Sequence, residues 1–184
     1  MGGIKRLGKA MAGVAGLLLA VLAVASCQMP RLGPGGGAPI SLATNGVTAY
    51  AIVTAADATA VDAYAARELA LYLRQITGAE FAVVSDAEFA GGSRSRAIFV
   101  GLSASALKRL GEADPLAGLA DQEHVARSMG ADIFLYGRGV HGNLHAVLEF
   151  LEISLGWRWY SVFEQPVLPQ QPTVALDPFH RRRG

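Results

Sequence analysis

The stretch DIFLYGRGVHGNLHAVLEFLEISLG, residues 132–156, decides the fold. It opens on a run of β-formers, Asp132 to Tyr136, and passes through a glycine-rich turn, Gly137 to Gly142. It closes on a helical pattern over 143–155, where Leu144, Val147, Leu148, Leu151 and Leu155 share one face and Gly156 stops the helix. A strand, a tight loop and an amphipathic helix in that order belong to an α/β chain.

Working outward toward the N-terminus, residues 123–128 read as a strand joined to 132–136 by Met129-Gly130-Ala131, a hairpin. Ala97 to Gly101 is a strand of buried type, and Ser103 caps a short helix to Leu110. Residues 80–85 form another strand. Before it, Asp57 or Thr59 caps a helix to Ile76, with Ala65, Leu69, Tyr72, Leu73 and Ile76 on one face and Gly78 as its C-terminal cap. Residues 47–53 read as the first strand. On the other side of the deciding stretch, Trp157 to Tyr160 and Thr173 to Leu176 read as short strands. The expected fold is α/β (α+β): a small mixed sheet with helices packed on one face, over residues 40–178. Residues 179–184, with Arg181, Arg182 and Arg183, read as a disordered basic tail able to touch anionic lipid or polysaccharide.

The 184 residues carry a net charge of +1 and no basic run interleaved with aromatics, so no nucleic-acid partner is expected. Hydrophobic residues make up 52% of the chain, and much of the excess is alanine in the first 26 residues. Lys5, Arg6 and Lys9 precede an apolar run from Ala10 to Ala25, which is shorter than the roughly 20 residues that cross a bilayer. Such a run fits a signal peptide over 1–26. It ends in Val24-Ala25-Ser26-Cys27, which resembles the lipobox of bacterial lipoproteins. That resemblance implies cleavage between Ser26 and Cys27, and a diacylglycerol anchor (palmitate being the expected acyl class) on the thiol of Cys27. An uncleaved anchor or an ordinary signal peptide is the alternative. Cys27 is the only cysteine, so no disulfide can form within the chain. Residues 27–39 are rich in proline and glycine and read as a tether. Gln28, where an aspartate would favour the inner membrane, leans toward an outer-membrane address in a Gram-negative cell.

Several stretches in order carry a second resemblance: Tyr50-Ala51-Ile52-Val53 with the helix 66–73 and Ile76-Thr77-Gly78-Ala79; Ala97 to Gly101; Asp132 to Gly137; and Gly142 to Glu152 followed by Leu155-Gly156-Trp157-Arg158-Trp159-Tyr160. Together they resemble the non-catalytic domain preceding the catalytic barrel in α-glucuronidases and β-hexosaminidases, the domain-2-like unit of those glycoside hydrolases. In that family the catalytic acid, base and substrate pocket lie on the barrel. Only Asp177 to Gly184 follows the last strand here, so the resemblance transfers no catalytic residue. It implies an accessory domain, a truncated relative, or one half of a pair, with a glycan or a glycoside-hydrolase barrel as partner.

Four constellations bear on chemistry. Gly137, Gly139 and Gly142 form a GxGxxG between strand and helix, with Glu164 about 20 residues on. Bare backbone and a helix N-terminus, with Arg138 and Asn143 beside them, suit a dinucleotide, whereas the bland reading is a tight loop. His141, His145 and Glu149 recur every four residues, the spacing of metal ligands on a helix, but Gly142 stands where HExxH needs its glutamate. A solvated polar edge is the simpler reading, and neither metal nor cofactor is expected. Glu149 and Glu152, with Glu68 and the loop carboxylates, can be asked to form a glycosidase pair, yet none sits at a recognisable barrel strand. Finally, Trp157 and Trp159 alternate onto one face of a strand, with Tyr160 beside them, and suit either packing or sugar stacking.

Overall fold

The computed structural model describes residues 37–160 and 166–184. The signal peptide, most of the tether, Ser26, Cys27 and Glu164 lie outside the described residues.

The expected mixed sheet is present. Strands β1 (Ile40–Ala43), β2 (Tyr50–Thr54), β3 (Ala82–Ser85), β4 (Arg96–Val100), β5 (His124–Met129), β6 (Asp132–Gly137), β7 (Val174–Leu176) and β8 (His180–Arg183) alternate with helices α1 (Ala60–Thr77), α2 (Asp86–Gly91), α3 (Ala104–Leu110) and α4 (Gly142–Glu149). Six strands form one sheet in the order β3-β2-β4-β6-β5-β8. β3, β2, β4 and β6 run parallel, while β5 is antiparallel to both β6 and β8. β1 and β7 form a separate antiparallel ribbon.

Alternation along the strands sorts the core into two layers. Tyr50, Ile52, Ile98, Val100, Ile133 and Leu135 face α1 and α4, where Leu69, Leu73, Ile76, Val147, Phe150 and Leu151 are buried. Ala51, Val53, Ala97, Phe99, Phe134 and Tyr136 face the other way, onto Phe89 of α2, Ala106 and Leu110 of α3, and Leu119. The two long helices therefore share one face, and two short ones cover the second. Chain direction accounts for the split. The β2–α1–β3 crossover steps one way along the sheet and β3–α2–β4 steps back, so two right-handed crossovers put α1 and α2 on opposite sides.

Local chemistry fixes the helix ends. Thr59, one of the two expected caps, accepts from the Asp62 amide, while the Asp62 carboxylate accepts from the Thr59 N–H. Such a reciprocal cap contributes about 1 kcal/mol. Gly78 closes α1 in the left-handed region at φ 75°. Ser85 and Ser103 cap α2 and α3.

Strand β1 and helix α2 have no counterpart in the reading of the sequence, and three further segments depart from it. Residues 179–184 are not a free tail. Their strand β8 extends the sheet along β5, and its arginines bond inward. The helix expected over 143–155 is α-helical only to Glu149 and continues as a π-helical turn, Phe150–Ser154. The aromatic segment 157–160 makes a single bridge, Arg158 with Val167, rather than a strand. Pro166 and Pro169 flank that bridge and have no N–H to extend a ladder.

Candidate functional site

The glycine loop leaves the C-terminal end of β6, the end of a parallel sheet where ligands usually bind. Its glycines serve a backbone contact. A Cβ on Gly142 would stand 2.5 Å from the carbonyl carbon of Gly137, and one on Gly137 would stand 2.7 Å from the carbonyl of Gly142. Strand and helix touch main chain to main chain, which only glycine permits. A Cβ on Gly139 would fall within 2.2 Å of the Asp121 carboxylate and 2.7 Å of the Gln122 amide. An acidic side chain thus lines the place where a pyrophosphate would lie, the wrong charge for that ligand. Asn143 is occupied as well. Its Oδ1 accepts from the Gly137 amide at 2.9 Å, and its Nδ2 donates to Asp62 at 2.8 Å, tying the loop to the start of α1. The Gln122 side-chain oxygen, Oε1, accepts from the His141 amide at 3.2 Å. Arg138 is bound to its neighbours through backbone only, with its side chain in solvent.

The histidines and Glu149 do come together, with partners the sequence did not announce. His141 is the residue before α4, exposed, its ring 6.2 Å from that of His145. His145 lies 5.9 Å from the ring of His124, which arrives from β5. His124 Nε2 is 3.0 Å from Glu149 Oε2, an ion-pair distance without the alignment of a hydrogen bond. The side chain of Glu149 is only 6% exposed, and its other oxygen accepts from Arg181 Nε at 3.0 Å, with Arg183 at 3.7 Å. Arg181 also donates to the Ser154 hydroxyl at 2.6 Å. Burial pulls the Arg181 guanidinium below its ordinary value, and Glu149 opposes that shift. Beside this group Arg182 grips Glu123 through Nε and Nη2, at 2.5 and 2.8 Å. Those bonds, with one from the Ala120 amide, hold the Glu123 carboxyl down at about 2. Among the described residues no three His, Cys, Asp or Glu side chains are placed to share a metal ion. The arrangement instead clamps β8 to α4 and β5.

Several of the carboxylates considered as a catalytic pair are likewise engaged. Glu152 faces Arg158 at 3.3 Å, Asp132 bonds Arg109 at 2.5 Å, Asp86 accepts from Ser103 at 2.6 Å, and Glu88 accepts from the Ser85 amide at 2.8 Å.

The aromatic residues sit apart from this cluster. Trp157 is buried, its ring 5.4 Å from Tyr72 and 6.2 Å from Trp159, so the two tryptophans do share a side. Trp159 is 55% and Tyr160 72% exposed. The Trp157 indole N–H has no hydrogen-bond partner among the described residues. A separate cleft of about 540 Å³ lies at the opposite end of the sheet, between Tyr50, Arg96, the Gly130 turn and Pro178.

No family model matches the sequence, and no curated protein matches it. Solved structures similar to this chain include glycoside hydrolases. A GH20 β-N-acetylhexosaminidase from Streptomyces coelicolor A3(2) aligns at 20% identity and TM-score 0.43, over 79% of this chain and 24% of that enzyme. A mutant β-hexosaminidase from Streptomyces plicatus, in complex with its product, aligns at 18% and 0.41, over 78% and 24%. A GH138 enzyme targeting pectin rhamnogalacturonan II aligns at 16% and 0.38, over 64% and 11%. The chain spans a quarter or less of these enzymes, and no residue role is carried over from them.

Proposed function

We propose that this protein is a membrane-tethered, non-catalytic accessory module of carbohydrate-active type, exported by residues 1–26 and anchored through lipid on Cys27. The observation that carries the glycan part is the aromatic corner. Trp159 and Tyr160 stand in solvent, and Trp159 is braced edge-on by a buried Trp157 that is itself backed by Tyr72. A ring held rigid from behind and open in front can lie against the apolar face of a sugar. The engagement of Glu149, Glu152, Asp132, Asp86 and Glu88 in bonds internal to the fold supports a binding role over an acid–base one. The same exposed corner is suited to contact a glycoside-hydrolase barrel on a separate chain. Nucleotide binding at the glycine loop is disfavoured by Asp121, and no thermal shift is expected with NAD or ATP at millimolar concentration.

The test uses the full chain purified in detergent and titrated with oligosaccharides from glucuronoxylan, chitin and peptidoglycan, read by tryptophan fluorescence. Binding to at least one, lost in Trp159→Ala with the melting temperature unchanged, is expected. Silence toward all of them, with no copurifying hydrolase, sinks the reading. For the anchor, Cys27→Ser is expected to move the protein from the membrane to the soluble fraction and to abolish incorporation of labelled palmitate.

A further inference from the structure

We infer that the open groove between α2 and α3 is a receptor for a carboxylate, sulfate or phosphate group carried on a ligand. The groove, of about 400 Å³, is lined by Phe89, Gly92, Arg94, Ser105, Lys108 and Arg109, together with Ala90. Its lining holds three cations and no carboxylate. Arg109 is the organised member. One of its terminal nitrogens, Nη1, donates to both the Asp132 carboxylate and the Ser95 carbonyl. Its guanidinium carbon sits 5.0 Å from the centre of the Phe89 ring and 5.7 Å from that of Phe99. The plane of the group is therefore fixed from one edge and one face before any ligand arrives. Nε and Nη2 have no partner among the described residues, and a third of the side chain remains exposed, at 34%. A fixed planar fork with free donors is the arrangement that recognises an oxyanion by two parallel bonds. Arg94 and Lys108 flank it, both exposed and without an ion pair among the described residues.

Three acids lie near the groove, but none of them lines it. Asp132 lies on the inner edge of Arg109, Asp86 is held by the Ser103 hydroxyl and the Ser105 amide, and Glu88 is bound back to Ser85. Hydrogen bonds from the Ser85 amide and hydroxyl keep Glu88 below the usual carboxylate range. The pocket is concave and anchored on one oriented guanidinium, which fits a single acidic group better than the broad face of an anionic bilayer. A sugar acid as the carrier rests on the carbohydrate reading above; recognition of the oxyanion does not.

The test again uses the full chain in detergent, titrated by calorimetry and by NMR of arginine side chains. The probes are a glucuronate oligosaccharide, the same oligosaccharide with its carboxyls reduced to alcohols, inorganic sulfate, and phosphatidylglycerol vesicles. Expected are binding of the acidic oligosaccharide at least tenfold tighter than its reduced form, and displacement by sulfate. A loss of threefold or more is expected in each of Arg94→Gln and Lys108→Gln. Arg109→Lys keeps the charge but not the fork, and is expected to lose tenfold while retaining the fold. Equal affinity for the reduced sugar, undiminished affinity in Arg94→Gln/Lys108→Gln, or binding of vesicles alone overturns the inference. Sulfate binding without any sugar binding retains the oxyanion site and overturns the carbohydrate reading. Sugar binding that depends on Trp159 but not on Arg94 or Lys108 does the reverse.

Discussion

Two polar regions of this molecule differ in what folding has left them. Around the glycine loop and Glu149 several polar side chains are tied to one another. Asn143 bridges loop to α1, Glu149 holds Arg181, and Glu123 holds Arg182. In the groove between α2 and α3, Arg94 and Lys108 have no ion-pair partner among the described residues, and Arg109 is held on one nitrogen only. The first region has a motif and the second has none. A motif reports that certain residue types are near each other. Whether their bonding capacity is already consumed is settled by packing.

The contrast can be broken or sharpened by substitution, starting with the backbone contact. Gly142→Ala puts a methyl against the main chain of Gly137, where nothing flexible can yield. It is expected to cost about 2–3 kcal/mol, a fall of ~10 °C in melting temperature by circular dichroism. A wild-type melt would mean that the glycines are free for a ligand after all.

Next is Glu149→Leu, which strands Arg181 without its anion. A loss of about 2 kcal/mol is expected, less than for a fully buried pair because Arg181 is 23% exposed. Hydrogen exchange should show β8 opening first. Glu149→Leu with Arg181→Met should recover most of the loss, since the cost lies in the unpaired charge. No recovery would assign Glu149 a role beyond the clamp.

A smaller effect follows acid. The Glu123 carboxyl is held at about 2 in the fold, chiefly by Arg182, against roughly 4.3 in an unfolded chain. A depressed folded value contributes stability that is complete above the unfolded value and is lost as pH falls through the folded one. Protection of β8 amides should therefore decline between about pH 4 and pH 2, and Glu123→Gln should remove that part of the pH dependence. A profile unchanged by the substitution would uncouple Glu123 from the strand.

The smallest effect is expected in the groove. Arg94→Gln and Lys108→Gln should each leave stability within ~0.5 kcal/mol of wild type, in keeping with side chains that the fold does not use. A larger loss in thermal melts would make the groove a structural network like the first region, and the contrast would vanish.

The degree to which this was legible in the sequence varies from element to element. The caps Thr59 and Ser103, the stop at Gly78 and the hairpin through Gly130 were readable, because each depends on residues within a few positions of one another. The π-turn at Phe150 had no local signal. Strand β8 was misread because His180-Arg181-Arg182-Arg183 has the composition of a tail. Its partners, Glu123 and Glu149, lie 59 and 32 residues away. Of the candidate residues, His145 lies within α4 and His141 just precedes it, while Trp159 sits beside Trp157 in a segment that is not a strand. Asn143, a candidate binding residue in the sequence, is a strut between the loop and α1.

The sequence by itself determined the α/β alternation, the ends of α1 and α3 and the two-faced strands, since periodicity and capping are short-range. Only the tertiary structure decided which polar side chains are spent on the fold and which remain free. That outcome depends on strand order and on pairs far apart in the chain, above all the docking of β8 on β5 that carries Arg181 to Glu149.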